Sequence, residues 1–89
     1  MKLFKKTRLY SIVAGEKANL KAQKFADEHG AKNSKIYVQS DGRIVMIDFY
    51  SKYDQDYIVK ELRRHMGSDF DVKVGDYFIY VDKKGTFDK

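Results

Sequence analysis

The segment 35–50 constrains the fold of this chain more than any other part of the sequence. It reads KIYVQSDGRIVMIDFY, with two strand-like runs of β-branched and aromatic residues on either side of Asp41-Gly42. An Asp-Gly pair favours a two-residue type I′ turn, in which both central residues have positive φ. The segment therefore predicts a β-hairpin, and the fold must place two antiparallel strands near the middle of the chain.

The residues before this hairpin predict a strand and a helix. Residues 3–14 are apolar and β-branched toward their end, which is typical of a strand, and Gly15 interrupts the pattern. Residues 16–29 carry a helical repeat of apolar positions. The buried face of that helix is expected to hold Ala18, Ala22, Phe25, Ala26 and His29. Gly30 is its expected C-cap.

A second helix and a second hairpin are predicted after residue 50. Ser51 is expected to cap the helix, with Asp54 three residues later in the position of a capping box. The buried stripe of this helix is predicted to hold Ile58, Leu62, His65 and Met66, and Gly67 ends it. Phe70–Val74 and residues 77–81 then predict two strands around a two-residue turn at Gly75-Asp76.

These elements follow one another in the order β-α-ββ-α-ββ within 89 residues, a length that indicates a single domain over 1–89. The order predicts an α+β fold, a ferredoxin-like two-layer sandwich with an antiparallel sheet and both helices on one face. The final hairpin extends or curls the sheet. Residues 83–89 are expected to form a polar tail. Phe87 is the residue of this tail whose side chain is able to dock onto the rest of the domain.

Composition excludes several classes of protein. The chain has no cysteine, so it is neither a disulfide scaffold nor a protein with Cys-ligated zinc or iron–sulfur sites. No apolar run approaches the length of a transmembrane helix. The first residues are charged but are not followed by the apolar core of a signal peptide. We therefore expect a cytoplasmic protein without membrane contact.

The face of the sheet that is turned away from the helices is predicted to be unusually apolar. It is expected to carry Tyr37, Ile44, Met46, Tyr50, Phe78 and Tyr80, together with Tyr10 and Ile12 of the first strand. Monomers rarely expose so large a patch. Three explanations stay open: part of the chain covers the patch or the sheet partly closes into a barrel, a homodimer forms through the sheet face, or the patch binds a partner.

The second helix presents another candidate surface. Tyr53, Tyr57, Lys60 and Arg64 share one side of it, opposite Ile58. Tyrosine and arginine are enriched in interfaces, although the same rings can instead cover neighbouring chain. These four residues, with Tyr37, Met46, Tyr50 and Tyr80 of the sheet, are the predicted partner-binding residues.

The net charge of +5 is unevenly distributed, because residues 1–44 carry ten basic and four acidic side chains whereas residues 45–89 carry eight and nine. Such asymmetry is typical of a polyanion-facing surface, and equally of a solvated lysine-rich surface. The predicted nucleic-acid-binding residues are Lys5, Lys6, Arg8, Lys17, Lys21 and Lys24.

The order of elements is similar to that of RNA-recognition-motif domains, whose sheet aromatics stack on bases. The resemblance covers architecture only, since residues 43–49 read RIVMIDF, with Ile and Met where the stacking rings belong. Acylphosphatases and Cas2-like nucleases also share this architecture. Residues 11–16 read SIVAGE and lack the Arg and the Asp that those two families respectively place there.

No residue pattern predicts catalysis, a metal site or a cofactor. His29 and His65 each lie at the predicted C-terminal end of a helix, close to the glycine that ends it. A protonated imidazole at this end interacts favourably with the helix dipole. Asp48 is a lone carboxylate in the middle of a strand, and metal-assisted hydrolysis uses more than one. An enzyme is the third and least favoured class of function.

The sequence therefore favours a small non-enzymatic binding protein, a regulator or inhibitor of phage or mobile-element type. Such a protein would act by docking on a host protein or nucleoprotein, for example a defence nuclease. The alternative is a nucleic-acid-binding module that uses the basic N-terminal half for phosphates and the sheet tyrosines for stacking. If the lysines adjoin the aromatic face, binding to nucleic acid is favoured. If they lie on the opposite side of the domain, binding to a protein partner or a dimer is favoured.

Overall fold

The computed structural model describes residues 8–30 and 34–87 of the chain. Its elements run in the predicted order β-α-ββ-α-ββ. They are β1 (Arg8–Gly15), α1 (Asn19–His29), β2 (Lys35–Val38), β3 (Ile44–Ser51), α2 (Gln55–Met66), β4 (Phe70–Val74) and β5 (Phe78–Lys83). The part of the predicted first strand that precedes Arg8 lies outside the described residues. None of the helices in the described ranges is long and apolar enough to cross a lipid bilayer.

The five strands form one sheet in the order β2-β3-β1-β5-β4, and the sheet is not a closed barrel. β1 lies at the centre, antiparallel to β3 and parallel to β5. Two expectations are thereby wrong: the sheet is mixed rather than antiparallel, and its strand order is not the ferredoxin-like one. The α+β class is confirmed.

The position of β5 explains the difference. β3 occupies one edge of β1, so only one strand of the antiparallel β4–β5 hairpin can lie at the other edge. β5 contributes two fully buried side chains, Ile79 and Val81, whereas Val74 at the end of β4 is 42% exposed. The more apolar strand takes the place beside β1, and its direction makes the pairing with β1 parallel.

Both helices pack on one face of the sheet, as predicted, and enclose a single core. The register aligns Ile12 of β1 with Ile47 of β3 and Ile79 of β5, so alternate residues of these strands face the helices. The largest fully buried side chains are Phe25, Phe49, Ile12, Ile47, Ile58, Leu62, Met66, Ile79 and Val81. Tyr10 also belongs to this core, which contradicts the placement of Tyr10 and Ile12 on the opposite face.

The helix ends differ in detail from the predicted ones. The N-cap of α2 is Asp54, and Ser51 is instead the buried last residue of β3, whose Oγ accepts the Tyr53 N–H at 3.1 Å. α2 ends at Met66, and Gly67 follows with φ of 87°. α1 begins at Asn19, after a turn in which the Ala18 N–H donates to the Gly15 carbonyl.

Both predicted hairpins are present, but each turn differs from the expected one. Between β2 and β3 the Gly42 N–H donates to the Gln39 carbonyl at 2.8 Å, and only Gly42 has positive φ. The prediction of a type I′ turn at Asp41-Gly42 is therefore wrong. The Asp41 carboxylate instead accepts the Arg43 N–H at 2.9 Å. In the second hairpin the Gly75 N–H donates to the Phe78 carbonyl, so the turn lies one residue later than expected.

Candidate interaction surfaces

One face of the sheet is turned away from both helices, and we call it the open face. The registers define a row of side chains that crosses all five strands on this face. Tyr37 of β2 is aligned with Met46 of β3, Met46 with Val13 of β1, Val13 with Tyr80 of β5, and Tyr80 with Lys73 of β4. Four of the five side chains are apolar or aromatic, so the row forms a continuous strip across the sheet.

Further apolar side chains on the open face flank this row. Strand alternation places Leu9, Ile44, Tyr50 and Phe78 on the same face as Val13. Leu9 and Tyr50 are exposed, and Ile44 and Phe78 are half-buried between neighbouring strands. The charged residues of the open face in the described ranges are Lys35, Lys73, Asp48, Asp71 and Asp82.

The C-terminal turn covers one corner of the open face. The Gly85 N–H donates to the Asp71 carboxylate at 2.9 Å, and the Lys73 ammonium lies 6.0 Å from the centre of the Phe87 ring. Gly85 and Phe87 therefore lie at the β4 side of this face, where the half-buried Phe87 ring is close to Lys73. Among the described residues the terminal hairpin itself lies within the sheet rather than over it.

Local contacts hold several open-face side chains in place. The ring centres of Phe78 and Tyr80 lie 6.1 Å apart. The Tyr80 ring also approaches Gly75, where a β-carbon would come within 3.0 Å of Tyr80 Cε2. Ser11 donates a hydrogen bond of 2.7 Å to the Asp48 carboxylate. These contacts reduce the entropy that the side chains would lose on binding a partner.

The structure brings the four sheet residues of the predicted partner site together. Tyr37, Met46, Tyr50 and Tyr80 all lie on the open face. Sequence reasoning missed Leu9 and Val13, because β1 is apolar at both odd and even positions and its phase cannot be read from alternation.

The predicted tyrosine stripe of α2 lies on the helix side, away from the open face. The rings of Tyr53 and Tyr57 are 4.7 Å apart, tilted by 33°, and both are partly exposed. Lys60 is exposed, whereas Arg64 donates to the Glu61 carboxylate at 2.6 Å. This hydrogen bond lowers the pKa of the Glu61 carboxyl and raises that of the Arg64 guanidinium.

Tyr53 has a structural role in addition to its exposure. The buried Tyr10 hydroxyl donates to the Tyr53 carbonyl at 2.5 Å, which ties the β3–α2 connection to the central strand. Burial raises the pKa of Tyr10, and the nearby Arg8 partly opposes this rise. The Lys52 ammonium lies 5.5 Å from the Tyr53 ring. The eight predicted partner-binding residues thus form two separate surfaces.

The described basic residues of the predicted nucleic-acid site lie on the helix side. Lys17 precedes α1, and Lys21 and Lys24 are in it; Lys24 is exposed, while the Lys21 ammonium donates to the Met66 carbonyl at 3.3 Å. The exposed Arg8 guanidinium is 3.9 Å from the Asp54 carboxylate. Lys5 and Lys6 lie outside the described residues.

One basic pocket lies beside the start of α1. It has a volume of about 320 Å³ and is lined by Lys17, Asp69, Phe70, Lys83 and Lys84. The Lys21 ammonium lies 5.4 Å from the centre of the Phe70 ring, close to the same pocket. Three lysines line this pocket, and no open-face aromatic does.

Both histidines make contacts within the helix layer. His29 stacks on Phe25 with ring centres 4.0 Å apart, and its Nδ1 is 3.1 Å from the Phe25 carbonyl. His65 Nε2 lies 3.1 Å from the Lys21 carbonyl. Within residues 8–30 and 34–87, no group of three or more His, Asp or Glu side chains is arranged to hold a metal ion.

No family model, curated protein sequence or solved structure matches this chain.

Proposed function

We propose that this chain is a small non-enzymatic binding protein that docks onto another protein through its open face. A regulator or inhibitor of phage or mobile-element type works in this way, by covering a surface of a host protein or nucleoprotein such as a defence nuclease. The observation that carries the proposal is the strip of Tyr37, Met46, Val13 and Tyr80, which crosses the sheet on its helix-free face.

The side-chain chemistry of the strip supports a protein partner. Tyrosine and methionine are enriched in the cores of protein–protein interfaces, where they contribute large contact areas. Because the strip is built on paired strands rather than on loops, its geometry is largely fixed before binding, which lowers the entropic cost of association.

The charges of the open face indicate the chemistry of that partner. Among its described residues the open face carries three aspartates and two lysines. They are Asp48, Asp71, Asp82, Lys35 and Lys73. These described residues of the face therefore carry one more acidic than basic side chain, although the chain as a whole carries +5. A matching partner combines protruding apolar side chains with lysines or arginines around them, as the nucleic-acid-binding surface of a nuclease does.

The basic pocket favours a second candidate function, binding to nucleic acid. Lys17, Lys83 and Lys84 line it, and Lys24 is exposed on the same helix layer. These cations adjoin Phe70 rather than the open-face tyrosines, so phosphate contacts and base stacking would not meet on one surface. This separation favours the protein partner.

Two single variants distinguish the surfaces. Met46→Glu places a charge in the middle of the strip, and Leu20→Glu is its control, because Leu20 is 81% exposed on α1. The chain is used to capture proteins from nuclease-treated host lysate, and each captured protein is then purified and titrated calorimetrically. We expect a protein whose Kd rises at least about thirtyfold for Met46→Glu, a hot-spot effect, and is unchanged for Leu20→Glu.

The opposite pattern overturns the proposal. A purified partner that binds Met46→Glu normally but loses affinity for Tyr57→Glu would assign binding to the α2 tyrosines. Fluorescence anisotropy with single- and double-stranded oligonucleotides at about 50 mM and about 300 mM salt tests the second function. Binding that falls steeply with salt and is lost when Lys17, Lys83 and Lys84 are changed to Ala would establish it.

A further inference from the structure

The two edges of the sheet are protected very differently. At the β4 edge, the Arg63 guanidinium donates a hydrogen bond of 3.3 Å to the Val72 carbonyl. The charged Asp71 and Lys73 flank Val72, and the C-terminal turn is bonded to Asp71. Charged side chains and covering segments are the usual means by which proteins prevent a sheet edge from pairing with another chain.

The β2 edge has no comparable protection from the described residues. All four residues of Lys35–Val38 are exposed, and three apolar side chains follow one another: Ile36 at 52%, Tyr37 at 48% and Val38 at 60%. β2 pairs with β3 alone, and α1 packs mainly over β1 and β3. A short apolar edge of this kind is suited to pairing with a further strand.

The hydrogen bonds of the β2–β3 hairpin show which backbone groups face this edge. The Gln39 N–H donates to the Ile44 carbonyl at 3.0 Å. Because hydrogen-bonded and non-hydrogen-bonded pairs alternate in an antiparallel ladder, the register assigns bonding with β3 to Tyr37. Ile36 and Val38 therefore direct their N–H and C=O groups outward, away from β3.

We propose that β2 pairs antiparallel with β2 of a second copy of this chain, about a twofold axis through Tyr37. Ile36 of each copy then lies opposite Val38 of the other, and the outward groups of these two residues form four hydrogen bonds across the axis. Tyr37 lies opposite its own counterpart as a non-hydrogen-bonded pair.

The strand is complementary to itself in this register, which identifies the second copy as the occupant. Ile36 and Val38 share the helix side of the sheet and meet each other, while Tyr37 meets Tyr37 on the open face. Lys35 of each copy lies opposite the neutral Gln39 of the other. The two Lys35 ammonium groups stay at opposite ends of the paired strands, so no like charges are brought together.

The dimer is weak and extends the open face. Stable interfaces bury about 1,200–2,000 Å² in total, and four exposed residues per copy supply less, so we expect a dissociation constant between micromolar and millimolar. The two sheets join into one of ten strands, in which the strip of each copy continues through Tyr37 into that of the other. This inference is independent of the proposed function.

A pair of proline variants tests it by sedimentation velocity across that concentration range. Val38→Pro removes an N–H that points outward, so the β2–β3 ladder keeps its hydrogen bonds. The dimer loses two hydrogen bonds, one from Val38 of each copy. Val74→Pro is the matched control on the other edge, where the same alternation directs the Val74 N–H outward. We expect the wild type and Val74→Pro to dimerise alike, and Val38→Pro to raise the dimer Kd about thirtyfold.

Cysteine crosslinking tests the register even if a proline variant unfolds. The chain has no cysteine of its own. In the proposed dimer the two Tyr37 Cα atoms are about 4.5 Å apart, a distance a disulfide can join, whereas the two Lys35 Cα atoms are about 13 Å apart. Under mild oxidation, Tyr37→Cys should form a covalent dimer at least about tenfold faster than Lys35→Cys.

Three results would overturn the inference: a wild type that stays monomeric at millimolar concentration, a dimer unaffected by Val38→Pro, or equal crosslinking of Tyr37→Cys and Lys35→Cys. A dimer that persists in Val38→Pro but is lost in Met46→Glu would assign self-association to the open face instead.

Discussion

At Gly15 the backbone of the central strand lies against the Asp82 carboxylate of β5. A β-carbon at this position would overlap the carboxylate, and Gly15 is buried. Asp82 in turn accepts the Lys83 N–H at 2.7 Å. A side chain at position 15 would therefore displace the Asp82 carboxylate, at the end of the parallel pairing that distinguishes this sheet.

We predict that Gly15→Ala lowers the free energy of unfolding by about 1–3 kcal/mol, because Asp82 must move to make room. In the background of Asp82→Ala the same substitution should cost almost nothing. Denaturant unfolding of the single and double variants measures this coupling as a double-mutant cycle. Equal costs of Gly15→Ala in both backgrounds would show that the carboxylate is not what the β-carbon meets.

Tyr10 predicts how stability depends on alkaline pH. Burial raises its pKa above the ordinary value of about 10, so the folded state holds the proton more tightly than the unfolded state does. The associated stability is fully present below about pH 10 and is lost as the pH rises through the folded-state pKa. We expect Tyr10→Phe to reduce this alkaline loss, and to cost about 1 kcal/mol at neutral pH through the lost bond to Tyr53. Urea unfolding between pH 8 and 11 compares the two.

The hairpin of β2 and β3 shows what local sequence can and cannot predict. The strands at 35–38 and 44–51 follow from β-branched and aromatic residues on both sides of a turn signal. The conformation of the connection over residues 39–43 does not, since only Gly42 takes positive φ while the Asp41 carboxylate accepts the Arg43 N–H. Ile36 and Val38 point to the helix side as alternation predicts, yet they stay exposed because α1 covers β1 and β3.

The mixed sheet could not be predicted from the local sequence. Phe70–Val74 and Phe78–Lys83 both have strand patterns, and local sequence does not state which of them reaches β1. Burial decides it, through Ile79 and Val81. The open-face residues Tyr37, Met46, Tyr50 and Tyr80 were predictable from alternation in β2, β3 and β5. Leu9 and Val13 were not, because β1 is apolar at every position from Ile12 to Ala14.

Hydrogen exchange should resolve the free edge residue by residue. At low protein concentration the Tyr37 and Gln39 amides, which bond to β3, should exchange more slowly than the Ile36 and Val38 amides. At high concentration the last two should gain protection if the strands pair. Exchange measured by NMR at two concentrations reports both effects, and uniform exchange along β2 would contradict the assigned alternation.

One core joins both helices to the sheet, so the chain is expected to unfold in a single cooperative transition. Two leucines on the two helices provide a matched test. Leu62 is fully buried, so Leu62→Ala should cost about 2–5 kcal/mol. Leu20 is 81% exposed, so Leu20→Ala should change stability by less than about 0.5 kcal/mol. Calorimetry of both variants checks this, and comparable losses would contradict the assignment of α1's outer side to solvent.

The central position of β1 also determines when the protein can fold during its synthesis. β1 is made before the other described strands, but Ser11 is aligned with Phe78 and Ala14 with Val81, which are translated only after both helices and the three intervening strands. Contacts between such distant parts of a chain form slowly. Until β5 leaves the ribosome, one edge of the central strand stays unpaired and is open to other nascent chains. The sheet is therefore completed only after translation of β5.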